Sequence, residues 1–168
     1  MPLNLLKKYN QLLDVSAMNE TQRNRSLKGV FDRDIANNSN FTFRKKQINP
    51  TPADGQNSMV RLFTHLITMI TDKSTNRREF DLARSVRLHW LKYHIDENKK
   101  TNMFLFSVAE PNGTRTYIYD KDEFYVIVLE PMRKKDEYYL LTAYYLDGKD
   151  KARDKMMKKY KRRLADVL

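Results

Sequence analysis

Cysteine is absent from this 168-residue chain. That excludes disulfide frameworks, thiolate metal centres, iron–sulfur clusters and thiol nucleophiles. Glycine is scarce, at four residues, none of them spaced as in a dinucleotide-binding turn or a P-loop. No apolar run approaches the roughly 20 residues that cross a bilayer, and Met1 to Lys8 lacks the basic leader, apolar stretch and cleavage site of a signal peptide. The expectation is a cytoplasmic protein with no membrane partner. Acidic residues are in the minority too: 21 Asp and Glu against 32 Lys and Arg leave a net charge of +11 and a pI near 9.7. That excess suits an anionic partner, nucleic acid before a membrane surface.

What is present divides into a helical half and a strand-rich half. Leu3, Leu5, Leu6, Tyr9, Leu12 and Leu13 recur at helical spacing behind Pro2, predicting a first helix to about Asp14. Met18 to Asn38 is polar, with Leu27, Val30, Phe31 and Ile35 to bury, and reads as a marginal helix or arm. Phe41-Thr42-Phe43 reads as a short strand with a basic end, Arg44-Lys45-Lys46. Pro50-Thr51-Pro52-Ala53-Asp54-Gly55 marks a boundary between an arm over 1–52 and a main domain over 53–168.

Met59 to Ile70 is an amphipathic helix by its spacing, and a second long helix is expected from about Arg77 to Asp96. Beyond Lys100 the period turns to alternation. Met103 to Val108, Thr114 to Tyr119, Glu123 to Leu129 and Tyr138 to Leu146 read as strands, with connections short enough to force antiparallel neighbours. The tail from Lys149 to Leu168 reads as a basic helix. The expected fold is α+β: N-terminal helices, a four-stranded antiparallel meander sheet and a basic C-terminal helix.

On a helical wheel of about 100° per residue, Phe80 to Ile95 fills a broad apolar arc, and Arg84, Arg87 and His94 break it. Unpaired like charges are costly to bury. The cluster therefore fits side chains snorkelling at an edge, pairing with carboxylates, or a wet cleft whose ligand is an anion. His89 falls in the polar sector and reads as solvated, His65 as structural and Trp90 as core. In the last strand, period two places Thr142 and Tyr144 on one face, and apolar residues on both faces indicate an interior strand. An Arg/His helix face and a Thr-x-Tyr strand face, in two elements expected to pack together, make the case for a site.

The stretch Arg78-Glu79-Phe80-Asp81-Leu82-Ala83-Arg84-Ser85-Val86-Arg87-Leu88-His89-Trp90-Leu91 resembles the helix of small phage-borne nucleases of the barnase–EndoU–colicin–RelE class. Thr114 to Tyr119, Tyr125 to Leu129 and Leu140-Leu141-Thr142-Ala143-Tyr144 resemble the strands of that class, and the likeness runs from about Met59 to Arg163. It implies a helix-then-meander fold and metal-independent cleavage of RNA, often tRNA or another host RNA, in a toxin-like protein with an antitoxin or immunity partner. The chain departs from the better-known members in having no pair of histidines, or His with Glu, at the expected cleft.

Metal-free RNA cleavage needs a base for the ribose 2′-OH, an acid for the leaving 5′-oxygen and donors for the phosphorane charge. His94 is the natural acid or base, its neutral form favoured by two neighbouring arginines. Arg84 and Arg87 would clamp the phosphate, while Thr142 and Tyr144 donate to its oxygens or orient the nucleophile. The products would carry 2′,3′-cyclic phosphates. Arg115, Arg44, Lys45, Lys46, Lys158, Lys159 and Arg162 are the nucleic-acid-binding candidates. No metal or cofactor is expected, because Asp120, Asp122 and Glu123 sit in an apparent solvated turn without His partners. Two other classes fit the charge: a non-catalytic RNA- or DNA-binding accessory protein, or a host-takeover factor with a protein partner.

Overall fold

A computed structural model describes residues 2–52, 55, 57–147 and 150–168. Its centre is a curled, mixed six-stranded sheet in the order β1-β2-β8-β7-β6-β5. The strands are β1 (Thr42–Phe43), β2 (Lys46–Pro50), β5 (Met103–Glu110), β6 (Gly113–Asp120), β7 (Tyr125–Pro131) and β8 (Tyr138–Tyr145). A two-stranded hairpin stands apart, β3 (Thr68–Asp72) with β4 (Arg77–Phe80). The helices are α1 (Pro2–Leu5), α2 (Glu20–Phe31), α3 (Ser58–Ile67), α4 (Leu82–Ser85), α5 (Trp90–Ile95) and α6 (Asp150–Lys161), and a π-helical turn over Asp32–Ala36 extends α2.

The class is α+β, but the expected four-stranded antiparallel meander is corrected. The four strands β5 to β8 do run antiparallel, yet β2 adds parallel to β8, Ile48 opposite Tyr138 and Asn49 opposite Tyr139. A two-residue turn at Arg44 and Lys45, both at positive φ, then brings β1 onto β2. β8 is thus interior, with β2 on one side and β7 on the other. Residues from the expected arm also join the main core: Leu27, Val30, Phe31, Phe41, Phe43 and Ile48 are buried with Leu62, Leu66 and Leu91. Of the boundary turn, Ala53 and Asp54 lie outside the described residues.

The first face of the sheet carries this core and the helices α2 to α5. The second face carries α6, where Met156 is buried with Phe106, Val108, Tyr117, Tyr119, Val126 and Val128. Alternation sorts the strands between the two cores: Tyr125, Ile127 and Leu129 point to the first, Val126 and Val128 to the second. The basic tail helix spans Asp150–Lys161; Lys149 is outside the described residues.

The second long helix does not form. Ile67, Thr68, Ile70 and Thr71 are β-branched, so the chain leaves α3 as a strand. Asp72 closes the hairpin by accepting from Ser74 N and Oγ, at 2.9 and 2.6 Å. Arg77–Phe80 pairs back as β4, and Asp81 caps α4 through Arg84 N. From Arg87 to Leu91 the backbone bonds run i to i−3: Arg87 to Arg84, Leu88 to Ser85, Trp90 to Arg87 and Leu91 to Leu88. Such 3₁₀ turns advance at about three residues per turn, so the wheel loses its phase between Arg84 and His94.

Candidate nucleic-acid interface

His94 is enclosed, with its side chain wholly inaccessible. Nδ1 lies 2.8 Å from Trp90 O and Nε2 2.8 Å from Asp120 Oδ2. Both neighbours are acceptors, and Asp120 is held as a carboxylate, so both ring nitrogens face groups that want a hydrogen. Asp120 is itself fully buried and collects Tyr9 Oη at 2.6 Å, Lys99 Nζ at 2.8 Å and the amides of Asp122 and Glu123. Burial pushes its carboxyl up, but the bonds from His94, Lys99 and Tyr9 outweigh that and hold it well below the usual carboxylate range. The expectation of a solvated turn is thus corrected at Asp120. Tyr9 stacks on Tyr93 at 4.4 Å and meets His94 edge-on, closing the network from the N-terminal side.

The arginines do not converge on His94. Arg84 Nη1 donates to His65 O and Thr68 O, each at 2.8 Å. Arg78 donates to Thr68 Oγ1 and O. Two guanidinium groups therefore sit on the carbonyl end of α3, where a cation suits the helix dipole. His65 lies among them, and burial with Arg78, Arg61 and Arg84 pushes its pKa down to about 4. Arg87 donates to Ala83 O and lies over the Tyr145 ring at 3.8 Å. His89, expected to be solvated, is buried with Nε2 2.9 Å from Lys8 O. Trp90 is core as expected, its indole donating to Gln11 O.

Thr142 and Tyr144 face the other way. A register shift between Val128 and Leu129 leaves Leu141 as an extra residue in β8, so the simple alternation fails there. Thr142 stands opposite Val128 and Tyr144 opposite Val126, on the α6 side. Burial raises the Tyr144 hydroxyl to about 12. The five residues expected to share one active site thus occupy three places: a closed network, a helix C-terminus with its flank, and the opposite sheet face.

The binding candidates do gather, at the end of the sheet where β5, β7 and β1 finish and β6, β8 and β2 begin. Lys46 bonds to Asp136 at 3.0 Å, which ties the β1–β2 turn, Arg44 and Lys45 included, to the exposed loop Arg133-Lys134-Lys135. A cleft of about 590 Å³ opens beside that loop, with Asn49, Glu137 and Tyr139 in its lining. Next to it lies a second hollow, at the β5–β6 turn, which shares Arg133 and reaches Glu110. Glu110 accepts from Lys159, Arg162 and Tyr117, and burial opposes but does not cancel the lowering of its pKa by these donors. Lys155, Lys158, Lys159 and Arg162 then line a further depression along α6, at the spacing of one helix face.

Along this rim the carboxylates are neutralised and cations remain over. Glu97 pairs with Arg44, Asp136 with Lys46 and Glu130 with Arg115, at 3.0, 3.0 and 3.1 Å. Among the described residues, no carboxylate bridges Lys45, Arg133, Lys134, Lys135, Lys155 or Lys158. Arg133, Lys134 and Lys135 were not among the sequence candidates, and their joining to Lys46 depends on the long-range pairing of β2 with β8. Tyr9, Lys99, Asp120 and Glu110 were not candidates from sequence; no local motif marks them.

No helix among the described residues is long and apolar enough to cross a membrane, and no three His, Asp or Glu among them are grouped to hold a metal ion. The chain matches no protein-family model, no curated protein and no solved structure. The resemblance to the barnase–EndoU–colicin–RelE class therefore rests on its quoted residues alone.

Proposed function

We propose that this chain is a cytoplasmic nucleic-acid-binding protein that holds RNA along the basic rim at one end of its sheet, without cutting it. The observation that carries this is the set of six cations left unbridged on that rim after its carboxylates are paired. Phosphates would take the place of the missing carboxylates, releasing counterions and giving affinity a steep dependence on salt. Fluorescence anisotropy with labelled RNA and DNA oligonucleotides across a salt series tests this. Log affinity that falls linearly with log salt, with a shallower slope when Arg133, Lys134 and Lys135 become Ala, supports it; no binding at low salt refutes it.

A second reading, a metal-independent endoribonuclease acting on host RNA with an antitoxin partner, has one observation in its favour. His94 and Asp120 form the imidazole–carboxylate pair that acid–base chemistry uses, covered by Tyr9. Catalysis would require the Tyr9 segment to lift. Cleavage of total RNA in EDTA to 2′,3′-cyclic phosphate ends, abolished in His94→Ala protein that keeps its fold, would establish it over binding alone.

A further inference from the structure

The largest of the clefts described above sits on the second face of the sheet, where α6 no longer covers it. Asn49 on β2 stands opposite Tyr139 on β8, and Tyr139 opposite Glu130 on β7. These three form a cross-strand row, and all line the cleft with Met132 and the loop cations. Tyr139 belongs to neither hydrophobic core and is half-buried, an aromatic ring that packs into no interior. The carboxylates beside it are already engaged: Asn49 Nδ2 donates to Glu137 Oε1 at 3.1 Å, and Arg115 holds Glu130. Arg133, Lys134 and Lys135 have no such partner among the described residues, and they stand on the wall of the same cleft.

We propose that this cleft takes an unpaired nucleotide of a single-stranded nucleic acid, its base stacked on Tyr139 and its flanking phosphates on Arg133, Lys134 and Lys135. The proposal rests on the nucleic-acid reading and adds the form of the ligand. A ring on the floor of a recess meets a base only if that base is free of its partner strand. Duplex phosphates reach the rim cations, but paired bases do not enter. Asn49, Glu130 and Glu137 line the recess, and the carboxylate oxygens not used by Asn49 and Arg115 would accept from the edge of the base.

The test compares a labelled single-stranded 12-mer of adenylate with a labelled 12-base-pair duplex, by anisotropy at two salt concentrations. Tyr139→Ala should weaken single-strand binding on the order of tenfold and leave duplex binding unchanged. Tyr139→Phe, which keeps the ring face and the fold, should bind the single strand as the wild type does. Equal affinity of wild type and Tyr139→Ala for the single strand would overturn the stacking proposal and leave the broader function standing. So would an equal loss in Tyr139→Phe and Tyr139→Ala. A wild-type protein that binds neither probe would overturn both.

Discussion

The two ends of the six-stranded sheet handle charge in opposite ways. At the β6–β7 end, Asp120 and His94 pair out of solvent, and the half-buried Lys99 and Tyr9 donate to the same carboxylate. At the other end Lys46, Lys134, Lys135, Lys155 and Lys158 lie at the surface, and among the described residues only Lys46 of these has a carboxylate. Buried charge that is fully hydrogen-bonded stabilises and specifies a fold; exposed charge left over does neither and is available to a ligand. On the proposed reading, stability belongs to one end and binding to the other, although His94 was the residue on which sequence placed the chemistry.

Breaking the closed end should have the largest effect. Asp120→Ala strips acceptors from His94, Lys99 and Tyr9 together and leaves the buried Nε2 of His94 without its partner, while Lys99 keeps Asp122 and Thr101 O. The expected loss is about 3–5 kcal/mol, read from urea unfolding. A loss under 1 kcal/mol would remove the structural assignment of this network. Tyr9→Phe is milder: it deletes one hydrogen bond to Asp120 Oδ2 and keeps the Tyr93 stack, at a cost of about 1.5–3 kcal/mol for a bond to a charged acceptor.

The opposite end should respond in affinity. Replacing Arg133, Lys134 and Lys135 together by Ala should lower the slope of log affinity against log salt by about 1 for each lost phosphate contact. Unfolding free energy should stay within about 0.5 kcal/mol of wild type. A triple variant that unfolds early, or that binds unchanged, would erase the division between the two ends.

How much of this was written locally explains what sequence could reach. Strands β5 to β8 were legible because alternation and turn residues are local signals, as at Glu110-Pro111-Asn112-Gly113. β2 was not, because Lys46-Gln47-Ile48-Asn49-Pro50 has a single buried apolar residue and becomes a strand by pairing with β8, about 90 residues away. The helix expected over Arg77 to Asp96 failed because a wheel assumes one constant rotation, whereas β4, a capped turn of α4 and 3₁₀ turns share that stretch. Thr142 and Tyr144 were placed on the wrong side by a bulge at Leu141, which no alternation pattern reveals. Asp120 looked like a solvated acid because its partners His94, Lys99 and Tyr9 lie 26, 21 and 111 residues away.

The smallest expected effect concerns pH and sharpens what the arginines near α3 do. His65 titrates in the fold at about 4, held below the ordinary 6.5 by burial and by Arg78, Arg61 and Arg84. Between those two values the unfolded chain binds a proton that the folded chain refuses, so stability falls as the pH drops from 6.5 to 4 and is insensitive to His65 above 6.5. His65→Gln cannot take up that proton, and its melting temperature should decline less than the wild type's across this window while matching it at pH 8. The part-exposed imidazole limits the size of the difference. Parallel curves for the two proteins would mean that the guanidinium charges are spent on the helix carbonyls and leave no repulsion at His65.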